Sequence, residues 1–318
     1  MKKVNWGIVS TGRIAALFCQ DLAFSQQSHL YAVAARQQAD ADQFAKEYGA
    51  DVAYQGYQAL FDDANVDIVY IATPHNFHFQ QAYDALMAGK HVLCEKPMTV
   101  SVEECQQLCE LAQQKGLLLM EALWTYFLPA MKQAKKWLDD GRIGQLKHVK
   151  VDFGYPIAFT PNGREYNPEL AGGCLLDMGI YPLAIADYFL TQDIDNLYVQ
   201  AQVCETGVED DVIMLGKSEQ VAVSLAASFQ CRLSNNAYLI GDKGYIVIPD
   251  AFRASECHLY HLDDLVDSFS DNRHSLGYHF EADEACKLVT QGSVQSNVVS
   301  HHHSLLFQSQ LAKVKALI

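Results

Sequence analysis

The sequence predicts an α/β protein in two parts. A doubly wound parallel sheet occupies about the first 120 residues, and a strand-rich part with antiparallel pairing follows. Three observations carry this. Strand-length apolar runs alternate with helix-period segments up to about residue 121. The first strand, turn and helix, "WGIVSTGRIAALF" at 6–18, have the shape of a nucleotide-binding turn. Beyond about residue 140, short apolar runs with partial alternation take over.

The elements read in order. "VNWGIVS" and "HLYAVAAR" are strands, and "RIAALFCQDLAF" between them is a helix. "DADQFAKEYG" places Ala41, Phe44, Ala45 and Tyr48 at helical spacing, with Gly49 as a stop. "VDIVYIATP" is apolar without strict alternation, as in a strand buried on both faces. "NFHFQQAYDALMAGK" is a helix and "HVLCEKP" a strand. "SVEECQQLCELAQQKG" is a helix with Ser101 and Glu104 as a capping box and Gly116 as its stop. "LLLMEAL" closes the series, and a helix at about 127–140 follows. Then "LKHVKVDFGY", "LYVQAQVCE", "VAVSLAASFQC" and "NNAYLIGDKGYIVIP" read as strands, with "GDKG" as a hairpin turn. One helix at 175–190 interrupts them, and two more end the chain. The expected domains are 1–121 and 122–318, meeting at a packed junction where a substrate cleft would lie.

Composition excludes some functions. Half of the 318 residues are hydrophobic, enough for a sizeable core, and a formal charge of −15 argues against nucleic acid or an anionic membrane as main partner. Nine scattered cysteines without C-x-x-C point to a reducing compartment. "MKKVNWGIV" runs straight into a strand, with no signal peptide, and no apolar run approaches the ~20 residues of a membrane helix. The cytoplasm is the expected location.

The opening turn departs from a dinucleotide fingerprint at one position, where Ser10 replaces the first glycine. Gly12 stands where the backbone comes closest to a pyrophosphate at the helix N-terminus, and Ala15 is a small third residue that permits close helix–strand packing. An NAD site usually has a carboxylate at the end of the second strand. Here Ala35 and Arg36 stand there, and a guanidinium suits a 2′-phosphate. Arg36 therefore favours NADP, with NAD as the alternative; a solvated strand-end charge is its other reading. Glu95, Lys96 and Pro97 end another strand, where open sheets bind ligands. Lys96 reads as a donor to a substrate hydroxyl or as a surface lysine.

Together, "GIVSTGRIA", "IATPHNFH", "AGKHVLCEKP", "MEALWTYFLPA" and "GGCLLDMGIYPL" resemble the glucose–fructose oxidoreductase/inositol dehydrogenase (Gfo/Idh/MocA) family, in family order over most of the chain. "ETGVEDD", "GDKGYIVI" and "GYHFEA" extend the match. Within it the chain resembles the dihydrodiol dehydrogenase branch, which includes NADP-dependent D-xylose dehydrogenases and tolerates serine in the opening turn. Where sugar and inositol dehydrogenases carry D-x-G-x-H-x-x-D, this chain has Asp177, Gly179, Tyr181 and Ala184. A tyrosine in the histidine's place matches the dihydrodiol type. Tyr126 stands where relatives often have arginine, which bears on specificity.

The resemblance implies a Rossmann domain, a second α/β domain on a large, mostly antiparallel open sheet, and a homo-oligomer, dimer or tetramer, formed through that sheet. It implies reversible hydride transfer between nicotinamide and a hydroxyl-bearing carbon of a cyclic diol or aldopyranose. It assigns the cofactor to Ser10, Gly12, Arg13, Ile14, Arg36, Thr73, His75, Glu95, Lys96 and Trp124, and catalysis to Lys96, Tyr181 and Asp177. A tyrosine pKa of about 10 is too high for a neutral-pH base, and a cationic Lys96 close by would lower it. Lys96 as the direct acid/base, with Tyr181 orienting the hydroxyl, is equally open. Asp177 holds a substrate hydroxyl or the lysine, or caps its helix. His78 reads as a helix-start residue. Trp124, Phe153 and Phe280 read as an apolar wall for a ring substrate or as core aromatics. The rival readings are a sugar dehydrogenase acting on another hydroxyl and a dinucleotide-binding sensor without turnover. No metal is expected: His301–His303 point about 100° apart on a helix and suit its exposed side.

Overall fold

The computed structural model describes residues 3–318; Met1 and Lys2, quoted in the leader reading above, lie outside them. The chain forms two compact units. The first comprises residues 1–124 and 274–308, the second 125–273 and 309–318.

In the first unit, β1 (Val4–Val9), α1 (Arg13–Leu22), β2 (Ser28–Ala35), α2 (Gln38–Tyr48), β3 (Val52–Gln55), α3 (Tyr57–Asp62), β4 (Ile68–Ile71), α4 (His78–Met87), β5 (His91–Glu95), α5 (Val102–Lys115) and β6 (Leu119–Ala122) follow in turn. The strands pair in parallel in the order β3-β2-β1-β4-β5-β6. The order reverses between β1 and β4, and at such a switch point ligands bind outside the strands' carboxyl ends. β4 and β6 are buried at every residue, which explains their unbroken apolar runs. Ser101 caps α5, its side chain accepting from the Glu104 N–H at 3.2 Å; Gly49 and Gly116 end α2 and α5 in the left-handed conformation. The core gathers Val69, Ile71, Val92, Cys94, Leu108 and Leu119.

The second unit holds α6 (Pro129–Asp139), β7 (Leu146–Gly154), α7 (Ile180–Phe189), β8 (Asp195–Val203), β9 (Glu209–Ser218), β10 (Val221–Ser228), β11 (Ala237–Gly241), β12 (Tyr245–Ile248), β13 (Glu256–His261) and β14 (Asp264–Ser270). Its eight strands run in the order β14-β13-β12-β11-β7-β10-β9-β8. Among the described residues every pair is antiparallel except β7–β10. Opposite residues Met214 and Leu225 are buried, whereas the next pair, Ile213 and Ala226, shows Ile213 exposed. The sheet thus has one core face, which α7 covers, and one open face. α7 is buried almost all round. Contrary to the expectation that no apolar run approaches the length of a membrane helix, the stretch Pro168–Phe189 passes as a span by length and composition, and most of its apolar window is buried in the fold.

Two helices end the chain: α8 (Tyr278–Gln291) and α9 (His301–Lys315). A single cut at residue 121/122 does not describe this chain, because residues 274–308 return to the first unit. One side chain explains the return. Asp21, buried on α1, accepts the backbone N–H groups of Leu276, Gly277 and Tyr278 at 2.9, 2.6 and 2.8 Å, and so caps α8 from a distant part of the chain. Burial opposes its charge, but the His279 imidazole 4.0 Å away and these three N–H groups outweigh it, so its pKa lies below the ordinary value. The Ser25 hydroxyl also donates to Asp283 of α8 at 2.5 Å.

The histidine triplet differs from expectation. α9 does begin at His301, but His301 is buried with its Nε2 against the Leu119 carbonyl at 3.1 Å. His303 is half-buried, its Nδ1 at 2.9 Å from the Ser300 hydroxyl, and His302 is exposed. Burial lowers the pKa of His301 and His303. Among the described residues no three His, Cys, Asp or Glu side chains gather as a metal site, and all nine cysteines are free thiols.

Candidate functional site

The first unit brings most of the expected cofactor residues to one edge, the carboxyl ends of β1, β4 and β5. Ser10 follows β1 and adopts φ 111°, a conformation that favours glycine. Its Oγ accepts the Gly12 N–H at 3.0 Å. Gly12 is the N-cap of α1, extended and exposed, with no side-chain cap and no acid in the first helical turn. The helix thus presents backbone N–H groups around Arg13 and Ile14 without a protein anion on them, and it fits a phosphate. Arg36 is exposed just beyond β2, and its charge acts on Tyr57 at the start of α3.

Beyond β4, Thr73 and His75 are buried, and the Thr73 hydroxyl donates to Gln81 at 2.7 Å. His78 does more than start a helix. It is fully buried, with Nδ1 at 2.8 Å from the Pro97 carbonyl and Nε2 at 2.7 Å from the Thr73 carbonyl. A neutral imidazole has one N–H, so only the doubly protonated ring satisfies both carbonyls. His78 thereby ties the segment after β4 to the segment after β5. No sequence pattern shows this, because both partners are backbone oxygens.

At the end of β5, Glu95 accepts from the Tyr70 hydroxyl on Oε1 and from the Lys96 backbone N–H at 3.2 Å on Oε2. Tyr70 stacks on Phe18 of α1 at 3.9 Å. The Lys96–Pro97 peptide bond is cis. Below this turn Glu121 is buried and accepts the Met98 N–H at 2.8 Å. Burial pushes its pKa up to about 7, against the opposing bonds from Ser304 and Met98. Trp124 stacks on Tyr278 at 4.2 Å.

In the second unit Tyr181 lies in the first turn of α7. Its ring meets Phe153 edge-on at 5.2 Å and Phe252 at 6.0 Å, and Phe153 and Phe252 are 4.3 Å apart. Phe252 is an aromatic neighbour that the sequence did not flag, since it sits in a short 3-10 turn beyond a strand. Of the expected aromatic wall, Phe153 belongs to this unit, and Trp124 and Phe280 belong to the first. Asp177 does not cap α7, which has no side-chain cap; it sits in a π-helical turn over Leu175–Gly179 and accepts from Arg164 at 3.2 Å. Tyr126 is buried, and its hydroxyl donates to the Ala184 carbonyl of α7 at 2.6 Å. It braces the helix that carries Tyr181.

Residues 4–123 match the profile of an oxidoreductase family with an NAD-binding Rossmann fold, and residues 131–247 match the C-terminal domain of the same family. The chain belongs to the Gfo/Idh/MocA oxidoreductase family. It is an NAD(P)-dependent oxidoreductase, and its first unit carries the NAD-binding Rossmann domain. Among relatives, trans-1,2-dihydrobenzene-1,2-diol dehydrogenase from Mus musculus is 37% identical over 80% of this chain and 77% of its own. The protein of that name from Homo sapiens is 32% identical over 99% and 97%. A 3-ketoreductase from Actinomadura kijaniata, solved with TDP-benzene and NADP, superposes with a TM-score of 0.86 at 26% identity, covering 99% of this chain and 97% of that one. An aldose-aldose oxidoreductase from Caulobacter crescentus shares the fold, with a TM-score of 0.90 at 22% identity over 99% and 97%.

Proposed function

We propose that this member of the family is an NADP-preferring dehydrogenase of cyclic diols or aldopyranoses. Full-length similarity to dihydrodiol dehydrogenases supports the substrate class. The observation that carries the cofactor preference is local: β2 ends in Ala35 and exposed Arg36 follows it, with no carboxylate there to repel a 2′-phosphate.

The uncapped N-terminus of α1, with Ser10, Gly12, Arg13 and Ile14, holds the pyrophosphate. Thr73, His75, Glu95, Lys96 and Trp124 line the nicotinamide end. Nicotinamide, when bound, accepts or returns the hydride. The protein handles the proton of the alcohol. Tyr181 takes it, and Lys96 supplies the positive charge that lets a phenol act near neutral pH. Asp177 and Arg164 orient the polar edge of the substrate, and Phe153 and Phe252 take its apolar face. The chain works in the cytoplasm as a homo-oligomer through the open face of the second sheet. That face exposes Tyr198, Ile213 and Leu215.

The deciding experiment measures initial rates with NADP and with NAD across cyclic trans-diols and aldopyranoses. A clear NADP preference with an active substrate supports the proposal. Activity with NAD alone overturns the Arg36 argument. Binding of NADP with no turnover on any member overturns the substrate class.

A further inference from the structure

One buried acid of the first unit has no role in the reading above. Glu281, on α8, is fully buried, and neither carboxyl oxygen has a hydrogen-bond partner among the described residues. An unsatisfied polar group in a dry core is expensive, and an unpaired charge far more so. Leucine or methionine would fill the same space without that cost.

Its surroundings narrow what it does. Asp21 of α1, Tyr70 of β4, Glu95 at the end of β5, and Tyr278 one turn earlier on α8 interact with it, while Arg13 acts on Tyr278 and His279 lies 4.0 Å from Asp21. Asp21 is committed to the three N–H groups that start α8. The Tyr70 hydroxyl is committed to Glu95. Glu95 is a carboxylate, and its two oxygens offer about four acceptor sites. Burial, then the charge of Glu95, then that of Asp21 all act to keep the proton on Glu281. Two carboxyl groups buried in one site do not both ionise. The donors from Tyr70 and the Lys96 N–H fix the negative charge on Glu95.

We propose that Glu281 is a positioning residue for the Lys96 turn: as a neutral acid it donates a hydrogen bond to Glu95, by a side-chain rotation or through one bridging water, and so keeps Glu95 ionised behind Lys96. The proposal rests on the role given to Lys96 above. It adds a residue from a distant helix, one that touches neither substrate nor nicotinamide.

The test has two arms. The first needs no turnover: infrared spectroscopy of the cofactor-free protein, in a Glu121→Gln background because Glu121 also holds a proton up to about pH 7. A carboxylic-acid C=O band at neutral pH is expected, lost in Glu281→Gln and shifted in Glu95→Gln. A band that survives Glu281→Gln, or that Glu95→Gln leaves unmoved, overturns the proposal. The second arm is the pH profile of kcat/KM. Glu281→Leu should fold with a melting temperature close to wild type, because an apolar side chain of similar size takes the place of a buried acid. Without its donor, Glu95 protonates more readily, and the acidic limb moves up by about one pH unit, roughly a tenfold loss at acidic pH. Glu281→Gln, which keeps an N–H donor, should restore the limb. A wild-type profile in a folded Leu variant assigns Glu281 to packing and overturns the proposal. If wild type turns over none of the alcohols, the substrate proposal fails and the infrared arm still decides this one.

Discussion

Ser10 shows how far a single position can be read. Its placement in a phosphate-binding turn follows from the strand before it and the helix after it. The use of its hydroxyl does not, because that depends on a backbone angle. At φ 111° the residue carries strain of roughly 1–3 kcal/mol, and the bond from the Gly12 N–H returns about 1 kcal/mol. Glycine would remove the strain, lose the bond and add ~0.4–1 kcal/mol of unfolded-state freedom. Ser10→Gly should therefore stay within about 1 kcal/mol of wild type in a denaturant titration. Its effect on binding should be larger. It releases the Gly12 N–H, and NADP should bind about three- to tenfold more tightly by fluorescence titration. Weaker binding would show that the hydroxyl itself serves the phosphate. His78 is the opposite case: the residue is plain in the sequence, but its two carbonyl partners are fixed only by the packing of β4 and β5.

At the scale of elements, helices with local signals were legible. α5 has its Ser101–Glu104 start and Gly116 stop, and α2 its Gly49. β3, β9, β13 and β14 were not singled out, because short or polar strands such as "EDDVIMLGKS" and "DLVDSFS" take their state from neighbouring strands. The start of α8 had no local cap to find, since Asp21 supplies it from α1. Tertiary burial likewise governs Glu121 of β6. Its carboxyl is neutral in the fold up to about pH 7, against 4.5 for an ordinary glutamate. Below 4.5 both states hold the proton, and the residue costs nothing. As pH rises from 4.5 to 7 only the unfolded chain releases it, so stability falls; above 7 the loss is constant, on the order of 3 kcal/mol. Glu121→Gln should remove that slope. Denaturant midpoints across pH would give wild-type and variant curves that diverge over this window, and parallel curves would show that Glu121 ionises freely in the fold.

For the whole molecule, the two-part α/β reading and the parallel-then-antiparallel change follow from hydrophobic period alone. The return of residues 274–308 to the first unit does not, because it depends on contacts far apart in sequence. The open face of the second sheet lies between these cases. Alternation in β9 marks Ile213 and Leu215 as facing away from Met214, yet they are as apolar as the core. Tyr198, opposite Leu215 on β8, is 63% exposed. Each copy carries a formal charge of −15, so the proposed homo-oligomer has to draw its affinity from this apolar patch against like-charge repulsion. Light scattering after gel filtration should therefore find a dimer or tetramer. The double change Ile213→Lys and Leu215→Lys places like charges across that interface. It should yield a monomer with the melting transition of the isolated fold, because neither side chain reaches the core. A wild-type chain that is monomeric at micromolar concentration, or a double variant that stays associated, would remove this face from the assembly.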